Sequence, residues 1–166
     1  MLRPIDPKQI TANPFSLIGD QWMLITAGNG EKCNTMTASW GGLGILWGAP
    51  VATCYVRPQR YTKQFLDHEE YFTLTVFGEE WRKALTLCGT KSGRDVDKVK
   101  ECGFTVKTAA CGAPYFEEAE LVLVCRKRFA QDFDPANIPE DVKEKQYPNQ
   151  DYHTMYIGEI VEVLSK

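Results

Sequence analysis

At 166 residues, 43% apolar and 11% aromatic, the chain has one domain's worth of sequence and enough apolar surface for a core, which excludes global disorder. Its 19 basic and 22 acidic residues leave a net charge of −3, which argues against a general nucleic-acid binder, since that needs a clustered basic face. No run approaches the roughly 20 apolar residues of a membrane-spanning helix, and Met1–Pro7 holds no apolar stretch of signal-peptide length, so a cytoplasmic protein without a membrane role is the expectation.

In chain order, Gln21 to Thr26 is the first strand candidate, followed by Thr35 to Trp40. Gly41–Gly48 reads as a sharp glycine turn. It resembles a dinucleotide loop only superficially: Trp47 stands where the third glycine belongs, and a strand, not a helix, follows Ala49 and Pro50. Pro50 to Val56 is β-branched and aromatic. Thr62 is read as the cap of a helical turn through Lys63–Leu66. Tyr71 to Phe77 alternates as a strand does. A helix from Glu79 to Cys88 would place Trp81, Leu85 and Cys88 on one face, with Gly89 ending it in the left-handed conformation. Gly89-Thr90-Lys91-Ser92 lacks the glycine that precedes the lysine of a nucleotide phosphate loop. Asp95 is read as the cap of a helix ending at Gly103, with Val96 and Val99 inward. Glu120 to Phe129 begins as a buried strand and turns basic. Asp141 to Gln146 is a charged helical turn, and Thr154 to Leu164 a half-buried strand with a kink near Gly158.

Strands that do not alternate with long helices argue against a doubly wound parallel sheet and for a closed or partly closed antiparallel barrel with short helices. With no repeat or linker in view, residues 1–166 read as a single domain. A small barrel has little room inside, so a sizeable ligand would bind outside it or at a subunit boundary. The six cysteines show no Cys-x-x-Cys spacing and read as reduced small hydrophobes, with Cys88, Cys102 and Cys111 near turns. Neither His68 nor His153 pairs with other ligands at metal-site spacing, so no metal is expected.

Two segments carry chemistry. Asn34-Thr35-Met36-Thr37-Ala38-Ser39-Trp40 is dense in short polar side chains and leaves its backbone approachable. It suits the polar edge of a planar heterocycle, or else is a strand with a polar outer face. Arg57-Pro58-Gln59-Arg60-Tyr61-Thr62-Lys63 is a dianion receptor at a helix start, or a solvated basic turn. They bracket one strand, so one ligand could place its ring on the first and its phosphate on the second.

These segments, with Cys88–Lys98 (Cys-Gly-Thr-Lys-Ser-Gly-Arg-Asp-Val-Asp-Lys) and Asp151–Val161 (Asp-Tyr-His-Thr-Met-Tyr-Ile-Gly-Glu-Ile-Val), arrive in the order found in the flavin reductase-like, FMN-binding split-barrel family. The chain resembles that family, and its flavoredoxin-like branch in particular, from about Gln21 to Val163. The resemblance implies a mainly β fold, a six-stranded antiparallel split barrel with short peripheral helices, and a homodimer with FMN beside the subunit boundary. It implies that Asn34, Met36, Thr37, Ala38, Ser39 and Trp40 line the isoalloxazine and ribityl chain. Arg57, Arg60, Tyr61 and Thr62 would hold the phosphate region, with Lys91 and Ser92 closing over it. His153 would lie near the flavin or a nicotinamide as a catalytic residue, the alternative being a strand-end histidine bonded to backbone.

The implied activity takes a hydride from NAD(P)H and passes electrons to free flavin or a redox protein acceptor. A flavoredoxin-type electron carrier and a non-catalytic flavin-binding module are the alternatives. The cofactor carries the chemistry and the protein tunes it.

Overall fold

A computed structural model describes residues 1–166. Ten strands and five α-helices run in the order β1 (Arg3–Ile5), α1 (Pro14–Ser16), β2 (Met23–Gly28), β3 (Cys33–Ala38), β4 (Gly41–Leu46), β5 (Ala49–Val56), α2 (Thr62–His68), β6 (Tyr71–Val76), α3 (Arg82–Thr90), α4 (Lys98–Cys102), β7 (Val106–Thr108), β8 (Pro114–Phe116), β9 (Leu121–Asp132), α5 (Glu140–Gln146) and β10 (Thr154–Ser165). A π-helical turn, Leu17–Gln21, extends α1.

Eight strands form one antiparallel sheet in the order β3-β2-β6-β9-β10-β5-β4, with β1 added on β10. The six strands expected from sequence are β2, β3, β5, β6, β9 and β10; β1 and β4 extend them. The two ends of this path, β3 and β4, are neighbours in sequence, joined only through Ser39 and Trp40, and do not pair with each other. The barrel is therefore split along that seam.

Why β2 and the first half of β9 are apolar on both faces follows from two cores. Met23, Ile25 and Ala27, with Leu121, Leu123 and Cys125, face a 20-residue cluster inside the barrel. Leu24, Val122 and Val124 face an 11-residue cluster outside it, with Phe77, Leu85, Cys88, Phe104 and Phe116 from α3 and its surroundings. Alternation on a strand puts successive side chains on opposite faces, so a strand covered on both sides reads as an unbroken apolar run. The basic second half of β9 lies outside both clusters, and Arg128 to Asp132 is exposed.

The Gly41–Gly48 segment is a strand and a hairpin, not a turn. Trp47 and Gly48 both have positive φ (52° and 71°), the requirement of a two-residue turn that matches strand twist. Thr62 does not cap α2; Tyr61 is the N-cap residue, and Thr62 is buried, accepting a hydrogen bond from Asn34 Nδ2. Gly89 lies within α3, and Lys91 ends that helix in an extended conformation. Asp97, not Asp95, caps α4 by accepting from the Lys100 N–H, while Gly103 ends it with φ 73°. These are errors of one or two residues, where neighbouring residues compete for the same cap.

The kink near Gly158 is present as register shifts between β9 and β10 at Ile157/Gly158 and again at Ile160/Glu162. A Cβ at Gly158 would stand 2.6 Å from Cys125 Cβ and 2.7 Å from Phe72 Cζ, both inside the barrel. Gly158→Val should therefore lower the unfolding free energy by about 1–3 kcal/mol in urea titration. Gly44→Ala, at a position with open space around it, should change it by less than about 0.5 kcal/mol.

Candidate functional site

The seam sets the site. Its β3 side carries unpaired backbone groups, because β3 bonds to β2 along one edge only. The Thr35 carbonyl accepts from Lys98 Nζ at 2.7 Å and so points away from β2. Two residues on, Thr37 directs its N–H and C=O to the same outer edge. The Thr37 hydroxyl donates to the Leu85 carbonyl, pinning α3 against β3.

The C-terminal end of α3 supplies the next layer. Its last carbonyls lack helical partners and bear partial negative charge. Arg60 donates to Gly89 O (3.0 Å) and Cys88 O (3.3 Å), and Lys98 Nζ donates to Cys88 O (2.8 Å). Arg60 makes no carboxylate contact. Burial, and then the Arg60 charge, lower the Lys98 pKa to about 8. Arg57 differs: it pairs with Asp151 at 3.0 Å, donates to Gln146 O, and lies 4.9 Å over the Tyr147 ring.

His153 stands at the far side of the groove. Its Nδ1 lies 2.6 Å from the Tyr147 hydroxyl, and its ring packs against Trp40, Tyr55 and Phe133. Burial, with the Arg57 charge adding to it, lowers its pKa to about 4, Asp151 opposing. The ring is neutral at physiological pH.

Two cavities meet here. One, of about 190 Å³, is lined by Met36, Thr37, Ala38, Ser39, Trp40, Tyr55, Arg57, Arg60, Gly89 and His153. The second, of about 530 Å³ and mostly apolar, shares Ser39, Trp40, Tyr55 and His153 with it. It continues between Ile18 and Phe15 on one side and Leu43, Phe133 and Tyr147 on the other.

Of the residues expected from sequence, Met36, Thr37, Ala38, Ser39, Trp40, Arg57, Arg60 and His153 line the smaller cavity. Asn34, Tyr61 and Thr62 do not: Asn34 and Thr62 are buried against each other behind it, and Tyr61 stacks edge-on with Phe65. Lys91 and Ser92 also lie off its lining; Lys91 is exposed beyond Gly89. Tyr55, Phe133, Tyr147 and Lys98 were missed. Tyr55 sits in the expected strand Pro50–Val56, on the alternation opposite the buried Cys54, and that was its only signal. Tyr147 and Phe133 lie in surface excursions with none.

Residues 15–166 match the family model described as flavin reductase like domain. The chain belongs to the flavin reductase-like family. No curated protein matches it. Among solved structures, a flavoredoxin from Methanosarcina acetivorans is 23% identical, with a TM-score of 0.71 over 88% of this chain and 68% of that one. An FMN-binding protein from Thermus thermophilus is 18% identical, with a TM-score of 0.70 over 98% and 77%. The NADH:FAD oxidoreductase of Streptomyces globisporus C-1027 is 19% identical, with a TM-score of 0.63 over 86% and 73%. At these identities the likeness establishes the fold: a mainly β split barrel with short helices. Membership of the flavin reductase-like family makes oxidoreduction on a flavin the class of chemistry to test the groove against. No helix is long and apolar enough to cross a membrane.

His153 binds fewer protons folded than unfolded between about pH 4 and its ordinary 6.5. Stability must therefore fall as pH drops through that window. His153→Gln should flatten the slope, read as the difference between the two proteins' urea midpoints at pH 7 and at about pH 4.5.

Proposed function

We propose that the chain binds FMN along the seam and oxidises NAD(P)H, passing the electrons to free flavin or a redox protein. The observation that carries this reading is the convergence of the free outer edge of β3 and two guanidinium groups on one groove.

The fit is chemical. An isoalloxazine ring presents alternating acceptors and donors along one edge, which the outward N–H and C=O of Thr37 and the short Ser39 side chain can match. Arg60 is held by helix-end carbonyls and not by a carboxylate, so no ion pair neutralises it. A phosphate suits such a planar donor. Lys91, exposed beside the end of α3, is free to reach the same anion from the rim with Ser92. The bound flavin supplies hydride acceptance and one- or two-electron transfer; the protein contributes positioning, edge hydrogen bonds and an apolar wall. His153 is its catalytic candidate.

The reading includes a cytoplasmic homodimer built from a single 1–166 domain. Phe15, Trp40, Ile45 and Trp47 are 85%, 46%, 73% and 68% exposed, and Phe15 and Trp40 themselves line the larger cavity. A second copy lying on β4 would cover the apolar side chains and close the groove. Ile45→Lys with Trp47→Lys should then shift the protein to monomer in sedimentation velocity and weaken FMN binding.

Mixing the purified chain with FMN and NADH without oxygen should bleach the flavin's visible absorbance. FMN binding without bleaching would leave an electron carrier or a flavin-binding module, and no binding would overturn the reading. Arg60→Ala should weaken FMN about 10- to 100-fold while riboflavin, which lacks the phosphate, loses little; equal losses would remove the phosphate role.

A further inference from the structure

The His153–Tyr147 pair bears on what the groove can offer a second ligand, and this inference rests on the function proposed above. The Tyr147 hydroxyl and His153 Nδ1 are 2.6 Å apart, and both residues are buried. Two arrangements satisfy that contact. Either the phenol donates to a bare Nδ1, leaving the proton on Nε2, or Nδ1–H donates to the phenol oxygen, leaving Nε2 bare. The first is favoured chemically: the phenol is the stronger donor and a neutral imidazole nitrogen the stronger acceptor. Tyr147 is itself held. Arg57 lies over its ring, and Arg57 is anchored by Asp151 and the Gln146 carbonyl.

Nε2 has no hydrogen-bond partner in the protein, nor is it among the buried unpartnered atoms, and the ring borders both cavities. Its free nitrogen therefore opens on the groove. Around it stand the apolar faces of Trp40, Tyr55 and Phe133. The charged groups near the ring are Arg57, which favours the neutral imidazole, and Asp151, which opposes it while paired to Arg57. Tyr55 and Tyr147 are the other titratable neighbours.

We propose that Tyr147 is a positioning residue that fixes His153 as the Nε2–H tautomer, so that the apolar cavity offers a neutral N–H donor to the carbonyl oxygen of an uncharged planar ligand. This differs from a general acid or base. The donor adds no net charge and gives up no proton, so it selects for an oxygen acceptor and stabilises charge growing on that oxygen. A carboxylate would gain no ion pair from the ring.

The test uses the full chain, uniformly labelled with nitrogen-15, without flavin and again with FMN. The chain has two histidines, so His68→Gln assigns the imidazole signals directly. Long-range nitrogen–proton spectra should show His153 protonated at Nε2, bare at Nδ1, and not titrating between about pH 5 and 8. A proton on Nδ1 or a cationic ring in that range overturns the proposal. In Tyr147→Phe, which leaves the burial and the Arg57 charge in place, the Nδ1–H form should gain population. An unchanged tautomer would remove the positioning role. Benzamide should shift the Nε2 proton saturably, and toluene, which has no oxygen, should not; no shift with benzamide in either preparation overturns the ligand class. Failure of FMN to bind would sink the proposed function but leave the tautomer of the flavin-free chain to be read on its own.

Discussion

β3 and β4 are consecutive and adjacent, yet never hydrogen-bond to each other. Closing a barrel satisfies every strand edge; leaving one seam open leaves backbone donors and acceptors that must find other partners. Here one of them is spent on α4, whose Lys98 donates to the Thr35 carbonyl, while the Thr37 hydroxyl ties α3 alongside by donating to Leu85. The rest border the groove. Everything that gives the site its chemistry is attached to that open edge: the polar run of β3, the helix end that holds Arg60, and the aromatic cavity on the β4 side.

The two-core arrangement explains why such an opening is tolerated. β2 sits next to the seam strand and is buried throughout, with side chains in both clusters. The Thr26 and Thr35 hydroxyls, 2.9 Å apart and fully buried, add a polar link between β2 and β3. The stable side of β3 is therefore fastened at several points, while its other edge stays available. Burial of the Cys33 thiol at the start of β3 raises its pKa to about 11, so it stays protonated. Of the six cysteines Cys111 is the exposed one, and Cys88 and Cys102 lie with their sulfurs 3.7 Å apart between α3 and α4.

Much of the fold was legible because burial writes itself into strand sequences regardless of what lies far away: β5 alternates from Ala52 to Val56, and β6 and the first half of β9 are runs covered on both faces. β4 was not, since four glycines in Gly41–Gly48 carry a turn signature that strand pairing with β5 overrides. For the site, residues 36–40 and both arginines could be read because backbone access and guanidinium chemistry are local properties. Asn34 and Thr62 looked alike to those by composition, but the crossing of β3 over α2 turns them toward each other. Tyr147 and Lys98 had no sequence signal: what they do depends on contacts with His153, Thr35 and Cys88, six to 63 residues away.

The way Arg60 is held has a kinetic consequence. A guanidinium anchored by a carboxylate presents a dipole to solvent; one anchored by carbonyls presents a net charge. The chain as a whole carries −3 and mildly repels a nucleotide at long range. Close to the surface the balance reverses at one place. For the FMN proposed above, encounters would be sorted by orientation before contact, the phosphate end drawn toward Arg60 and the ring left to settle along the seam. Added salt would blunt that sorting first in the rate of association, while the lifetime of the complex, set by the ring's contacts, would change far less.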